Sequence, residues 1–143
     1  MSGKSRDELT RILKGGVDSA HDFSAMTDLH VGHLVDFLKY GMIDDSKYID
    51  YSTKKAIGAD IDNGKRLFDT TCAACHGADG KMLNFGSEQE PEYVGDIVKG
   101  DPWEGQHKIR FGQPGTAMPS AVNNGWSIED AVDVLGYAQT LPE

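Results

Sequence analysis

An all-α fold is the class this sequence predicts. Apolar residues recur at helical spacing in several segments, and no stretch sustains the period-2 alternation of a half-buried strand. Two of these segments begin at a capping Thr or Ser and three stop at Gly or Pro, the punctuation expected of helices.

Leu9, Ile12 and Leu13 describe a short amphipathic helix ending at Gly15-Gly16. Thr27 caps a second, with Val31, Leu34, Val35 and Leu38 inward and Gly41 as its stop. From Met42 to Ala59 the chain reads as a mostly irregular connector, with Tyr48, Ile49 and Tyr51 available to pin it to a surface. Ile61, Gly64, Leu67, Phe68 and Thr71 share one helical face that leads into a pair of cysteines. Pro91 to Lys99 and Trp103 to Phe111 read as two short helices separated by Gly100-Asp101-Pro102. Ser127 caps the last helix, with Asp130 in its acidic first turn. Ala131, Val134, Leu135 and Ala138 form its apolar stripe, and Pro142 is its stop.

The chemistry sits in Cys72-Ala73-Ala74-Cys75-His76, the Cys-x-x-Cys-His attachment signature of c-type haem. Two intervening residues let both sulfurs reach the two vinyl groups of one macrocycle, and the next residue then falls beneath the iron. Both cysteines of the chain lie in this motif. A thioredoxin-like redox pair needs a strand-helix context that is not visible here. A zinc site needs further soft ligands, and the spacing of His21, His30, His33 and His107 fits no zinc template. Opposite His76, the candidate axial ligand is Met118 in Gly115-Thr116-Ala117-Met118-Pro119, a thioether on a Gly/Pro-shaped loop well downstream. Of the other methionines, Met1 is terminal, Met26 and Met42 lie in the N-terminal region, and Met82 is too near His76 to loop around a macrocycle without strain.

With these pieces in view, residues from about 58 to 143 resemble the class I c-type cytochromes, small electron carriers with one haem. The matching segments are Asn63 to Phe68, Cys72 to Gly77 with Asp79-Gly80-Lys81, the Ala-Met-Pro loop and the last helix around Tyr137. The resemblance implies the cytochrome c fold, one covalently bound haem c on Cys72 and Cys75, and His76 and Met118 as axial ligands. It also implies a close helix crossing in which Gly64 meets Phe68 and Tyr137. Trp103 and His107 occupy positions that in the family sometimes bond a haem propionate, and Arg110 is a third candidate because its fork suits a carboxylate; core packing or solvent exposure explains each equally well. One departure stands out. The family's Gly-Pro segment, whose proline carbonyl accepts from the other imidazole nitrogen, is replaced here by Lys81 to Pro91. Either Pro91 or the Leu83 or Asn84 carbonyl is left to serve.

Two domains are expected: residues 58–143 carrying the haem, and an N-terminal helical extension, 1–57. Aligned one hundred residues apart, Thr27 meets Ser127, Val31 meets Ala131 and Leu34 meets Val134. Either the extension is a degenerate cytochrome half without haem, or two capped amphipathic helices simply look alike. Packing of the extension on the haem domain, shielding part of the haem, is the expectation.

Charge narrows the partners. Against 14 basic side chains stand 23 acidic ones, a net of −9. Nucleic acids and anionic membranes are bound through basic surface and are disfavoured. Redox proteins with a basic or mixed docking face fit better. No apolar run reaches membrane-spanning length and no secretory signal is visible. Because haem is attached covalently outside the cytoplasm, the expectation is a periplasmic protein whose signal is absent from this chain. Its function reads as shuttling single electrons, not as an enzyme. The alternatives are a peroxide- or gas-binding haem with a labile Met118, or a haem subunit docked to a larger oxidoreductase.

Overall fold

The computed structural model describes residues 3–15 and 22–143, so Gly16 and His21 of the sequence reading lie outside the described residues. The chain divides into two compact units, Met1–Asp44 and Asp45–Glu143.

In the first unit, α1 (Arg6–Leu13) starts at a capping box. Ser5 Oγ accepts from the Glu8 N–H at 3.2 Å, and Glu8 Oε2 accepts from the Ser5 N–H at 2.7 Å. Helix α2 (Asp28–Asp36) is capped by Thr27, whose Oγ1 accepts from the His30 N–H at 3.3 Å. It runs on into a wider π turn, Phe37–Gly41. Leu9, Leu13, Val31 and Val35 are buried against one another, flanked by Met26, Leu34 and Leu38. This apolar contact, at about 1.5–3 kcal/mol per buried side chain, outweighs the exposed Arg6–Asp36 and Lys14–Asp28 pairs, since exposed pairs are worth little.

The second unit begins earlier than residue 58. After a 3₁₀ turn, Asp45–Lys47, the stretch expected to be irregular forms a hairpin of β1 (Ile49–Asp50) and β2 (Lys55–Ala56). Ile49 lies opposite Ala56 and Asp50 opposite Lys55. Asp50 Oδ1 closes the turn by accepting from the Ser52 and Thr53 N–H groups. Strands two residues long cannot show alternation, which is why the sequence hides them. Ile49 is 0 % exposed in the unit's main core, with Leu67, Phe68, Val98, Val134, Leu135, Ala138 and Leu141. Gln139 binds the hairpin by accepting from the Ala56 N–H at 3.0 Å and donating to the Lys54 carbonyl at 2.7 Å.

Helix α3 (Ile61–Leu67) is capped by Asp60, which accepts from the Asp62 and Asn63 N–H groups. It crosses α7 (Ile128–Ala138), the helix whose Ser127–Asp130 capping box matches the sequence reading. At the crossing a Cβ on residue 64 would lie 2.0 Å from the Asp133 carbonyl oxygen, so only glycine fits. The Phe68 and Tyr137 rings then meet edge to face, centroids 5.4 Å apart. Asp133, nearly buried, is satisfied by the Asp60 N–H and by Asn63 Nδ2 at 2.7 and 2.8 Å.

Helix α5 (Val94–Gly100) starts three residues after Pro91, because residues 84–92 close a loop of their own; Asp96 then accepts from the Tyr93 N–H. Helix α6 (Pro102–Phe111) places Pro102 at its first position and takes its cap from Asp101. The unit is all-α apart from the hairpin.

Candidate haem site

The cysteine motif is delivered by a change of helical pitch. Helix α3 passes into a π turn, Phe68–Cys72, where Thr70 Oγ1 bonds back to the Arg66 and Leu67 carbonyls at 2.9 and 3.1 Å. The one-turn helix α4 (Ala73–His76) follows and ends at Gly77. π turns are rare and are found most often at functional sites. Cys72, Cys75 and His76, at i, i+3 and i+4, thus share a helix face. Cys72 is half-buried and Cys75 exposed, both as free thiols. Burial, reinforced by the neighbouring Cys75 sulfur, pushes the Cys72 thiol up to about 11. A neutral thiol at pH 7 is a poor redox nucleophile. No group of three or more His, Cys, Asp or Glu among the described residues is placed to hold a metal ion.

Two cavities open beside the motif, of about 610 and 280 Å³. Cys72, His76, Phe85, Ile109, Gln113, Thr116 and Met118 line both. Cys75, Leu83, Ala117, Pro119 and Trp126 belong to the smaller, and Phe68, Val94, Val98, Val134 and Ala138 to the larger. The walls are mainly apolar with a few polar groups, the make-up of a cofactor site. Burial lowers the pKa of His76, which keeps its imidazole neutral and a lone pair available at pH 7. Its Nδ1 is buried with no hydrogen-bond partner, so neither Pro91 nor the Leu83 or Asn84 carbonyl takes the part that the sequence left open for them.

Met118 reaches the cavities on a loop that returns along the end of α6. Ala121 and Val122 N–H groups donate to the Ile109 and Arg110 carbonyls, and Ser120 Oγ donates to the Arg110 carbonyl at 2.8 Å. Gly112, at φ +71°, lets this segment pass: a Cβ there would stand 2.5 Å from the Met118 carbonyl oxygen. Thr116 Oγ1 then accepts from the Met118 N–H at 3.2 Å.

Trp103, His107 and Arg110 line neither cavity. Helical period explains this. Asp101, Glu104, Gly105, Lys108 and Ile109 form the face of α6 toward the larger cavity, so residues 103, 107 and 110 point elsewhere. Trp103 packs against Tyr51, centroids 5.1 Å apart, with its Nε1 buried and unpartnered. His107 is exposed beside Phe111, and the Arg110 guanidinium lies 4.6 Å from the Phe111 ring centre. Burial lowers the Arg110 pKa. The cavity residues that sequence reasoning passed over are Phe85, Trp126 and the hydrogen-bonded pair Lys108–Gln113. None belongs to a short motif; Phe85 falls in the very segment where the family pattern is broken.

The residues fit a covalently held haem. Two free thiols, a neutral imidazole and a thioether border one pair of adjoining, mostly apolar cavities. The model of the family described as cytochrome c oxidase, cbb3-type, subunit III matches residues 59–137, more than half of the chain. The matched stretch opens just before α3 and closes within α7 at Tyr137, so it takes in the whole cavity wall but Ala138. No curated protein and no solved structure matches the chain. The chain belongs to the family of cbb3-type cytochrome c oxidase subunit III, as a c-type cytochrome that carries covalently bound haem c and serves electron transfer.

Proposed function

We propose that this chain is a monohaem electron carrier in which Cys72 and Cys75 would anchor the haem and His76 and Met118 would ligate its iron. The observation that carries the reading is that Cys72, His76 and Met118 line both of two adjoining cavities and Cys75 lines the smaller of them. When bound, haem supplies a one-electron couple between ferrous and ferric iron. The chain's own part is to hold that couple in an apolar site. Phe68, Val98 and Val134 keep water from the larger cavity, a neutral His76 offers its lone pair, and the Met118 thioether favours the reduced state. The match to a c-type cytochrome family favours a carrier over an enzyme.

The acidic charge bears on the partner. The second unit holds sixteen acidic against nine basic side chains, and Glu92, Asp96, Asp101 and Glu104 border the larger cavity with Lys108 as the basic residue among them. A redox protein with a basic or mixed face would be steered toward this rim. Because haem is attached covalently outside the cytoplasm, the reading extends to an exported, periplasmic carrier. No described helix is long and apolar enough to cross a membrane. The name of the matched family favours a second reading, a haem subunit docked to a larger oxidoreductase. Retention of a tight partner on purification separates that subunit from a free shuttle.

The optical spectrum of the haem-loaded protein tests the ligands, first oxidised, then reduced under carbon monoxide. A weak far-red methionine–iron band and no response to carbon monoxide is the expected result, with Met118→Ala gaining a carbon monoxide response. Ready carbon monoxide binding by the unaltered protein, with the band absent, would remove Met118 as a stable ligand and move the reading to a gas- or peroxide-binding haem.

A further inference from the structure

The dipeptide Asn-Gly occurs twice in this chain, at Asn63-Gly64 and Asn124-Gly125, and the fold treats the two in opposite ways. Asn63 lies inside α3. Its Nδ2 donates to Asp130 Oδ1 at 3.1 Å and to Asp133 Oδ2 at 2.8 Å, and its Oδ1 accepts from the Arg66 guanidinium at 2.7 Å. The Gly64 N–H is spent on the Asp60 carbonyl at 2.9 Å. Asn124 is exposed in the turn between Ala121 and Trp126, and its side-chain amide has no partner among the described residues. Gly125 stands at φ +73°, and a Cβ there would meet nothing within 4 Å. Its N–H has one bond, to the Val122 carbonyl at 3.2 Å, which closes an exposed turn and not a helix. Asn124 also belongs to the haem site, lining the smaller cavity with Cys75, Met118 and Trp126. Among the described residues, no Asp, Glu, Lys or Arg lines that cavity.

We propose that Asn124 is a site of spontaneous deamidation, and that its conversion puts a carboxylate into the wall of the haem cavity and lowers the haem potential. The Gly125 backbone nitrogen attacks Asn124 Cγ. A new C–N bond closes a succinimide, the Cγ–Nδ2 bond breaks, and ammonia leaves with the proton that Gly125 gives up. Water then adds to either ring carbonyl and opens the ring, giving aspartate or isoaspartate with one new carboxylate. Glycine favours the step because no Cβ hinders the attacking nitrogen. At Asn63 three hydrogen bonds hold the amide, and the Gly64 nitrogen cannot turn to Cγ without giving up its place in the helix ladder. A negative charge beside the iron favours the ferric state, which carries one more positive charge than the ferrous. This effect on potential rests on the haem reading; the deamidation does not.

The test holds the full haem-loaded chain in warm, mildly alkaline buffer and follows both asparagines by peptide mass spectrometry, with enzymatic methylation of isoaspartate as a second readout. Asn124 is expected to convert at least about tenfold faster than Asn63. In denaturant the two rates should come together, because the glycine that follows each sets the rate once the fold is gone. Comparable rates in the folded protein, or a gap of about tenfold that persists in denaturant, overturn the assignment. Asn124→Asp supplies the charge directly. Relative to Asn124→Gln, its oxidised-to-reduced ratio at the unaltered protein's midpoint should rise at least about twofold in spectroelectrochemical titration. An unchanged or lowered ratio overturns the effect on the haem. If the chain takes up no haem, the haem reading fails and takes that effect with it, while the two asparagines still decide the modification.

Discussion

Replacing Gly64 with alanine strikes the crossing of α3 and α7, on which the rest of the second unit is built. The new Cβ would stand 2.0 Å from the Asp133 carbonyl oxygen, 2.5 Å from its carbon and 3.0 Å from Tyr137 Cβ. Backbone lies on the near side, so no side chain can swing away. Ordinary contact begins at 3.4 Å, which means the helices must part by about 1.4 Å. At that separation the Asp60 N–H and Asn63 Nδ2 bonds to Asp133, now 2.7 and 2.8 Å, are both broken. Overpacking costs about 2 kcal/mol, the two hydrogen bonds about 1 kcal/mol each, and the gain in helix propensity returns about 1 kcal/mol. The expected net loss is about 3 kcal/mol, a fall in Tm of roughly 12–20 °C for a unit of this size. Thermal unfolding of the haem-loaded protein followed by far-ultraviolet circular dichroism is the assay. A fall of less than about 3 °C, within the effect of an ordinary surface change, would show that the helices do not meet at residue 64.

The Asp130 carboxylate is held below its ordinary pKa of 3.8 by the Ser127 N–H and by Asn63 Nδ2. With the folded pKa depressed, its contribution is fully present above pH 3.8 and is lost as the pH falls through the folded value. Asp130→Asn is therefore expected to cost about 0.5 kcal/mol at pH 7, with the difference from the unaltered protein shrinking in denaturant titrations below pH 3.8. A difference that grows under acid contradicts the assignment. Shortened chains test where the second unit begins. Residues 45–143 should keep the haem spectrum and a cooperative transition. Residues 58–143 should be less stable by at least about 2 kcal/mol, because Ile49 is fully buried and Gln139 loses the hairpin. Equal stability of the two would place the hairpin outside the core.

The helices were legible because their signals are local. Thr27 and Ser127 cap where the residue type says they should, and Val31, Val35, Val134 and Leu135 bury the stripe their spacing describes. Cys72 to His76 is legible for a stronger reason: two thiols and an imidazole within five residues have few other chemical uses, and spacing alone brings them to one face. That Met118 borders the same cavities could be expected from its Gly/Pro-shaped loop and by setting the other methionines aside; no local spacing rule carries it, since forty-two residues separate it from His76. The hairpin at 49–56 stayed hidden because it is held by Gln139, eighty-three residues away from Ala56. Trp103, His107 and Arg110 looked alike in sequence as groups able to meet a carboxylate. Only the rotation of α6 decides that Glu104, Gly105 and Lys108 face the cavity and those three do not.

By itself the sequence determined the class, the haem motif and the acidic surface, all of which depend on residue type and on neighbours within about a turn of helix. Tertiary structure decided which side chains surround His76, where the second unit starts, and that its Nδ1 is buried without a hydrogen-bond partner. Those facts come from chain segments that meet only after folding, through hydrogen bonds such as Asn84 to Glu92 and contacts such as Phe85 to His76, for which no local spacing rule exists.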